Sequence, residues 1–485
     1  MWSRGNVLSS LILASVLLAG IPVRATTYYV AKTGNDANAC TQVSPCLTIA
    51  HAYSLAVPGD VVSVGAGTYS ESLSLNRLGS SSSPITVQGY PVGGTCPTSP
   101  QNDVISPVKT RPAPTVTING ATISASYNTL DCFNSPGGVS ISSSVNYSRV
   151  QNNYMYRAVG DYGLGVGILI GSETNYPVRP TNLYIGHNFI QGAEYGMIIV
   201  ADSTLFEYNE VNALQENTGN AGDCDYNRLW GNRNNFNYNY YHGGTKGSSG
   251  LCKGTDPHND CFQTFADSHT NFASNGMSFK GNTCQSFDEG FMLSNDASVA
   301  NYYGTWTITN NIFDTGSYGP WCGVFDSNGF NVIYENNTCY NGQVVIRDSW
   351  GSGGASLTAV NNIFYLPGYY ASGSCPYHSE SGGTVNAASG YNIAYDPGYT
   401  MSCSGTANKD DVNPLFVSVG SDYHLQASSP AIGAATNVGL TTDHDGNPRP
   451  SGGGYDMGAY QYAAGTGGTA SGPKPPAGLA ITSVR

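Results

Sequence analysis

Charge is the scarcest property of this 485-residue chain: Lys, Arg, Asp and Glu together make up 11 % of it, against about 25 % in an average soluble protein. Basic residues are the rarer half, 19 against 32 acidic, for a net of −13. No Lys/Arg-rich run occurs, so the electrostatic footprint of a nucleic-acid-binding protein is missing. Lys, Glu and Leu are too sparse for helix bundles or coiled coils. Past the first two dozen residues there is no long apolar run, so the mature chain is expected to have no membrane span. No Cys-x-x-Cys pair is present, which argues against a zinc site. What is abundant is Gly, at 61 residues, and Tyr, whose 34 copies outnumber the 15 Phe and 5 Trp together. That composition suits a long all-β structure with many tight turns.

The N-terminus specifies a compartment. Residues 1–4 form a short basic region, 7–21 an apolar stretch, and Val23-Arg24-Ala25 a small-residue cleavage site. This pattern predicts a secretory signal peptide over 1–25, and a secreted or cell-surface protein. The mature chain would carry 17 basic against 32 acidic residues, a net of −15. All twelve cysteines follow the leader, and export to an oxidising compartment makes disulfides the default. Sequence leaves the connectivity open. Pairing of neighbours gives Cys40–Cys46, Cys96–Cys132, Cys224–Cys252, Cys261–Cys284, Cys322–Cys339 and Cys375–Cys403. Residues 463–485 read as a flexible Gly/Thr/Pro-rich tail, and the chain is expected to be a monomer.

Short apolar runs recur along the chain, often introduced by Gly. Examples are Gly167-Ile168-Leu169-Ile170, Gly196-Met197-Ile198-Ile199, Gly290-Phe291-Met292-Leu293 and Gly323-Val324-Phe325, with Cys261-Phe262-Gln263 in the same series. The steps between them are 29, 65, 29 and 33 residues. A second series places Asn188, Asn282, Asn311, Asn337 and Asn362 at the ends of short strands. Irregular repeats of this size indicate a solenoid. No helical pattern lies between the strands, so each repeat is expected to be one coil of a parallel β-helix over 26–462. The Asn residues are expected in left-handed turns, stacked as a structural ladder. Residues 48–56 predict a short amphipathic helix that caps the open N-terminal end.

Particular motifs carry a resemblance. Tyr28-Tyr29-Val30, Thr48-Ile49-Ala50, Pro58-Gly59-Asp60 and Gly67-Thr68-Tyr69 look like the first segment of secreted proteins of the pectate-lyase-like superfamily. Asn413-Pro414-Leu415-Phe416, Ser429-Pro430-Ala431-Ile432-Gly433, Asp445-Gly446-Asn447-Pro448-Arg449 and Tyr455-Asp456-Met457-Gly458-Ala459-Tyr460 resemble the closing segment of many such proteins. The resemblance implies a right-handed parallel β-helix acting on an extracellular polysaccharide. A fold does not fix the reaction.

The spacing is interrupted between residues 201 and 259, and long loops on a rigid solenoid are where binding sites sit. The interruption leads into Lys253-Gly254-Thr255-Asp256-Pro257-His258-Asn259-Asp260-Cys261-Phe262-Gln263, and one coil later comes Phe287-Asp288-Glu289-Gly290. If Cys261 stacks on Gly290, Asp260 stacks on Glu289 and Asn259 on Asp288. Strands lie about 4.8 Å apart, and carboxylates that close cannot all stay ionised unaided. Either a cation, Ca²⁺ by its preference for oxygen, sits among Asp260, Asp288 and Glu289, or one carboxyl keeps its proton and serves as an acid. His258 and the lysines Lys253 and Lys280 are the candidate bases. Gln263, Tyr240, Tyr241 and Arg347 are the candidate substrate contacts, the tyrosines as sugar-stacking faces. Each has a plainer role available: a capped turn for Asp256 and His258, solvated charge for the lysines, packing for the tyrosines, an ion pair for Arg347.

The Asp256-Pro257-His258 triplet resembles the Asp-Pro-His motif of mannuronan C5-epimerases and related alginate lyases, in which the His takes part in proton transfer at a uronate C5. The aromatic residue that precedes the motif there is Lys253 here. Asp260, Asp288 and Glu289 are similar in placement to the calcium-binding acids of a pectate lyase family, whose next acid is Met292 here. Three readings follow. The first is a lyase eliminating at uronate residues, with Ca²⁺ as its possible cofactor. The second is a glycoside hydrolase using Asp260 and Glu289. The third is a non-catalytic carbohydrate-binding or adhesive solenoid.

Overall fold

Three-residue strands repeat with little between them, and each repeat closes one turn of the chain. Arg149–Gln151, Tyr154–Tyr156 and Leu164–Ile170 form one coil, and Tyr184–Gly186 begins the next directly on top of Arg149–Gln151. The computed structural model describes residues 25–462 apart from 97–112, 159, 173–177, 217–222, 246–249, 254–257, 267–273, 296–303, 317–318, 328, 350–353, 367–372 and 451–453. The expected leader up to residue 24, the tail after 462 and Asp256-Pro257 lie outside these residues. Among them the coils build three long parallel sheets of 13, 10 and 12 strands. The first begins at Thr27–Val30, the second at Tyr154–Tyr156 and the third at Ser72–Leu75. The protein is a right-handed parallel β-helix, the sense that parallel crossovers favour.

Alternation along each strand sends every second side chain inward. Phe206, Phe236 and Phe279 stack through the interior at centroid separations of 4.6 and 5.1 Å. Where the second sheet bends into the third, the chain passes so close to the core that a side chain does not fit. A Cβ on Gly196 would lie 2.7 Å from Val211 Cγ1, and one on Gly167 would lie 2.5 Å from Ile190 Cγ2. This close approach is the physical source of the Gly-led repeat.

The Asn ladder forms at the bend between the first and second sheets and is longer than the repeats indicate. It runs Asn153, Asn188, Asn209, Asn239, Asn282, Asn311, Asn337, Asn362, Asn392 and Asn408. In each rung the backbone N–H donates to Oδ1 of the next Asn, as from Asn282 to Asn311 at 2.8 Å. The left-handed turn, however, belongs to the residue before each rung: His187, Tyr208, Asn310, Asn336 and Asn361 have φ of 58, 54, 56, 53 and 62°. That residue turns the chain, and the turn points the next side chain inward.

All six neighbour disulfides form as expected. The helix Ile49–Leu55 is capped by the Thr48 hydroxyl, which accepts from His51 N–H. Glu71 accepts from the Ile49 and Ala50 N–H groups, a favourable place for an anion. Ile49, Ala52 and Tyr53 are buried on the first strands. The C-terminal segment from about residue 413 lies along the outer face of the second sheet, around Ile312, Ile363 and Ile393. No helix among the described residues is long and apolar enough to cross a membrane.

Candidate functional site

The bend between the second and third sheets gathers acids from successive coils. Phe262 pairs with Phe291 and Gln263 with Met292, which sets Asp260 level with Glu289 and Asn259 level with Asp288. The Asp288 N–H donates to the Asn259 carbonyl at 2.8 Å, and the Asn259 N–H donates to Asp288 Oδ2 at 3.2 Å. One coil earlier Arg228 pairs with Gln263, which brings Asp225 level with Asp260; the Asp260 N–H donates to Asp225 Oδ1 at 3.2 Å. Asp225, Asp260 and Glu289 therefore form a column of carboxyls on three adjacent strands. Glu289 is bridged in turn to Trp321. Two disulfides fix the column: Cys261–Cys284 beside Asp260 and Cys224–Cys252 beside Asp225.

Charge along the column is unevenly compensated. Arg228 holds Asp225 through Nε at 2.8 Å and also binds Asp223. Its guanidinium lies 4.6 Å from the centroid of the Tyr195 ring. Burial still pushes the Asp225 carboxyl up to about 6. Asp260, at the centre, is fully buried. Burial, followed by the charges of Asp225, Glu289, Asp288 and Asp223, holds its carboxyl well above the usual range. Oδ2 accepts from Gln263 Nε2 at 3.2 Å, whereas Asp260 Oδ1 and Gln263 Oε1 are buried oxygens with no hydrogen-bond partner among the described residues. His258 stands over the column with its side chain 44 % exposed and Nδ1 4.0 Å from Asp260 Oδ2. The imidazole thus turns one nitrogen to the buried acid while the ring stays open to solvent.

Asp260, Asp288 and Glu289 do not each bring an oxygen within 4.8 Å of the others; among the described residues only Cys40, Cys46 and His51 gather so closely, and there the sulfurs are joined in a disulfide. The three acids do not form a shared clasp for Ca²⁺.

Other sequence candidates lie elsewhere. Lys280 ends a strand of the first sheet, at the bend opposite the column, with Nζ 5.9 Å from the Tyr238 ring centroid. Lys253 Nζ is 3.3 Å from the Tyr162 hydroxyl. Tyr241 is fully buried between Tyr226 and Phe262 and offers no face to a sugar, because its strand position points inward. Tyr240 is on the outer face of the second sheet, stacked 4.0 Å from His242. Arg347 lies two strands beyond Glu289's coil, paired with Glu380 at 2.7 Å. Asp223, Asp225 and Arg228 were missed. Their coil carries Tyr226 where the repeat has Gly or Cys, so the Gly-led spacing passes over it.

No protein-family model matches the sequence, and no curated protein matches it. Solved structures similar to it include the pectate lyase Pel9A, at 15 % identity and a TM-score of 0.43 over 90 % of this chain and 96 % of that one. XylC in complex with xylose has 12 % identity and a TM-score of 0.48 over 90 % and 98 %. A PL6 family polysaccharide lyase from Pseudopedobacter saltans has 14 % identity and a TM-score of 0.40 over 72 % and 84 %. Likeness at this level says nothing of the column, whose chemistry rests on its own geometry.

Proposed function

We propose that the protein is a secreted polysaccharide-cleaving enzyme whose proton-transfer centre is His258 over the acid column, and that its reaction is β-elimination at a uronate residue. The observation that carries this is the half-exposed imidazole with Nδ1 4.0 Å from the buried Asp260. Nε2 of His258 takes the proton α to the uronate carboxylate. The electron pair forms the C4–C5 double bond, and the C4–O bond breaks. The imidazolium returns the same proton to the leaving oxygen, so no proton is gained or lost overall. While charged, the imidazolium faces a column with more carboxyl groups than cations, which stabilises it. Asp260 is too deeply buried to touch substrate and acts as a positioning residue.

In this reading a proton on Asp260 and the guanidinium on Asp225, rather than a metal ion, relieve the column's charge. A chelator such as EDTA should leave the rate within about twofold; a loss restored by Ca²⁺ would instead assign a cation to Asp260, Asp288 and Glu289. A second reading is hydrolysis by the carboxyl pair Asp260 and Glu289, which are level on neighbouring coils; the full burial of Asp260 counts against it. Absorbance of unsaturated ends separates the two, since elimination produces it and hydrolysis does not. His258→Ala should lower elimination by about 10²-fold or more.

A further inference from the structure

The outer face of the third sheet continues away from the column in a single row. Register pairs link Thr122 to Ser140, Ser140 to Leu169, Leu169 to Ile198, Ile198 to Arg228 and Arg228 to Gln263. The row therefore leads from the acids toward the N-terminal coils of the same face. At its far end lies a trough of about 400 Å³, lined by Ser72, Asn119, Thr122, Gly137, Ser140 and Leu169 among others. That volume lies within the range of small-ligand sites. Ser140 and Gln263 are four strand steps apart, roughly 19 Å at about 4.8 Å per step, a distance spanned by several linked sugars.

The trough's chemistry contrasts with the column's. None of its lining residues is charged. It offers hydroxyls from Thr122 and Ser140, 2.9 Å apart and exposed at the edge, the Asn119 amide, and the apolar Leu169, which is 36 % exposed. Hydroxyls beside an aliphatic patch match a sugar ring, with its polar rim and C–H face. Among the described residues that line the trough there is no Arg or Lys to pair with a uronate carboxylate, which would lose hydration there without return.

We infer that this trough binds neutral sugar units of the chain cleaved at the column, so the substrate is a mixed polymer, or the neutral flank of one, and not a homopolymer of uronic acid. The inference rests on cleavage at the column. It is carried by the cavity and its chargeless lining; the row ties the trough by register to the coil of the column, where Gln263 is itself buried.

The test uses the full mature protein carrying His258→Ala, so that bound sugars persist. Calorimetry measures affinity for neutral gluco-, manno-, galacto- and xylo-configured hexasaccharides and for galacturonate and mannuronate hexamers. At least one neutral hexasaccharide should bind. Ser140→Arg and Thr122→Trp, both at the exposed edge, should weaken that binding at least tenfold, as should Leu169→Glu. Equal melting temperatures confirm that each variant folds. The inference is overturned if no neutral hexasaccharide binds, if binding is confined to uronate hexamers, or if all three variants bind as the parent does. Failure of the column reading would show separately, as turnover retained by His258→Ala on polymer.

Discussion

Asp260 imposes a cost that a neutral side chain of the same shape would not. Its carboxyl is held well above the ordinary range by burial and by four neighbouring acids. The folded protein thus keeps a proton that the unfolded chain gives up near pH 4, so this residue lowers stability as pH rises above that value. Asp260→Asn should therefore melt higher than the parent at pH 7. The same variant should lose activity at least tenfold, because the amide no longer offers the His258 imidazole the carboxyl that positions it; a thermal melt and a rate from one preparation check both. Equal melting temperatures would mean that the carboxyl is not strained. Sequence spacing makes the stacking of Asp260 on Glu289 legible, since the step from Cys261 to Gly290 is one regular coil of 29 residues. It does not reveal Asp225, because Tyr226 occupies the position where the repeat otherwise has Gly or Cys. Nor does it reveal that Tyr241 points inward, because adjacent aromatic residues look alike on both faces of a strand.

At the scale of elements, the ladder and the C-terminal segment each make a contribution to stability that can be measured. Asn239 donates both its N–H and its Nδ2 to Asn282 Oδ1, at 3.0 and 2.9 Å. Asn282→Ala strands both donors in the core and should cost about 2–4 kcal/mol, measurable by denaturant unfolding. The C-terminal segment is held partly by His424, whose ring contacts Asp422 at 2.6 Å and Asp445 at 2.9 Å. Against the loss from burial, these two carboxylates raise the imidazole to about 9. A raised cationic group stabilises fully below its unfolded value of about 6.5, and that stability fades as pH climbs through 9. Limited proteolysis should accordingly cut the segment faster at pH 9.5 than at pH 6.5, with His424→Gln removing the difference. An unchanged difference would place the switch elsewhere. The coil, its Asn rungs and the disulfides are legible because each depends on local spacing. The path of the C-terminal segment over the second sheet is not, since it follows from apolar residues as distant as Ile312 and Ile393.

For the whole molecule, the solenoid sets acids and a neutral trough on one continuous face. A net charge of −13 repels a polyanion at long range, and the uncharged trough relaxes that repulsion for a chain that is neutral along part of its length. Composition makes the low basic content legible; the trough comes from strands more than 50 residues upstream of the column and has no motif. The measurement that tests the central claim most directly follows unsaturated-end absorbance and reducing ends together. It uses wild type and His258→Ala on a panel of acidic, neutral and mixed polysaccharides, with and without EDTA. The account predicts that both signals rise in step on a mixed acidic polymer, persist in EDTA and fall at least a hundredfold in His258→Ala. Reducing ends without absorbance, or undiminished turnover by His258→Ala, would contradict it.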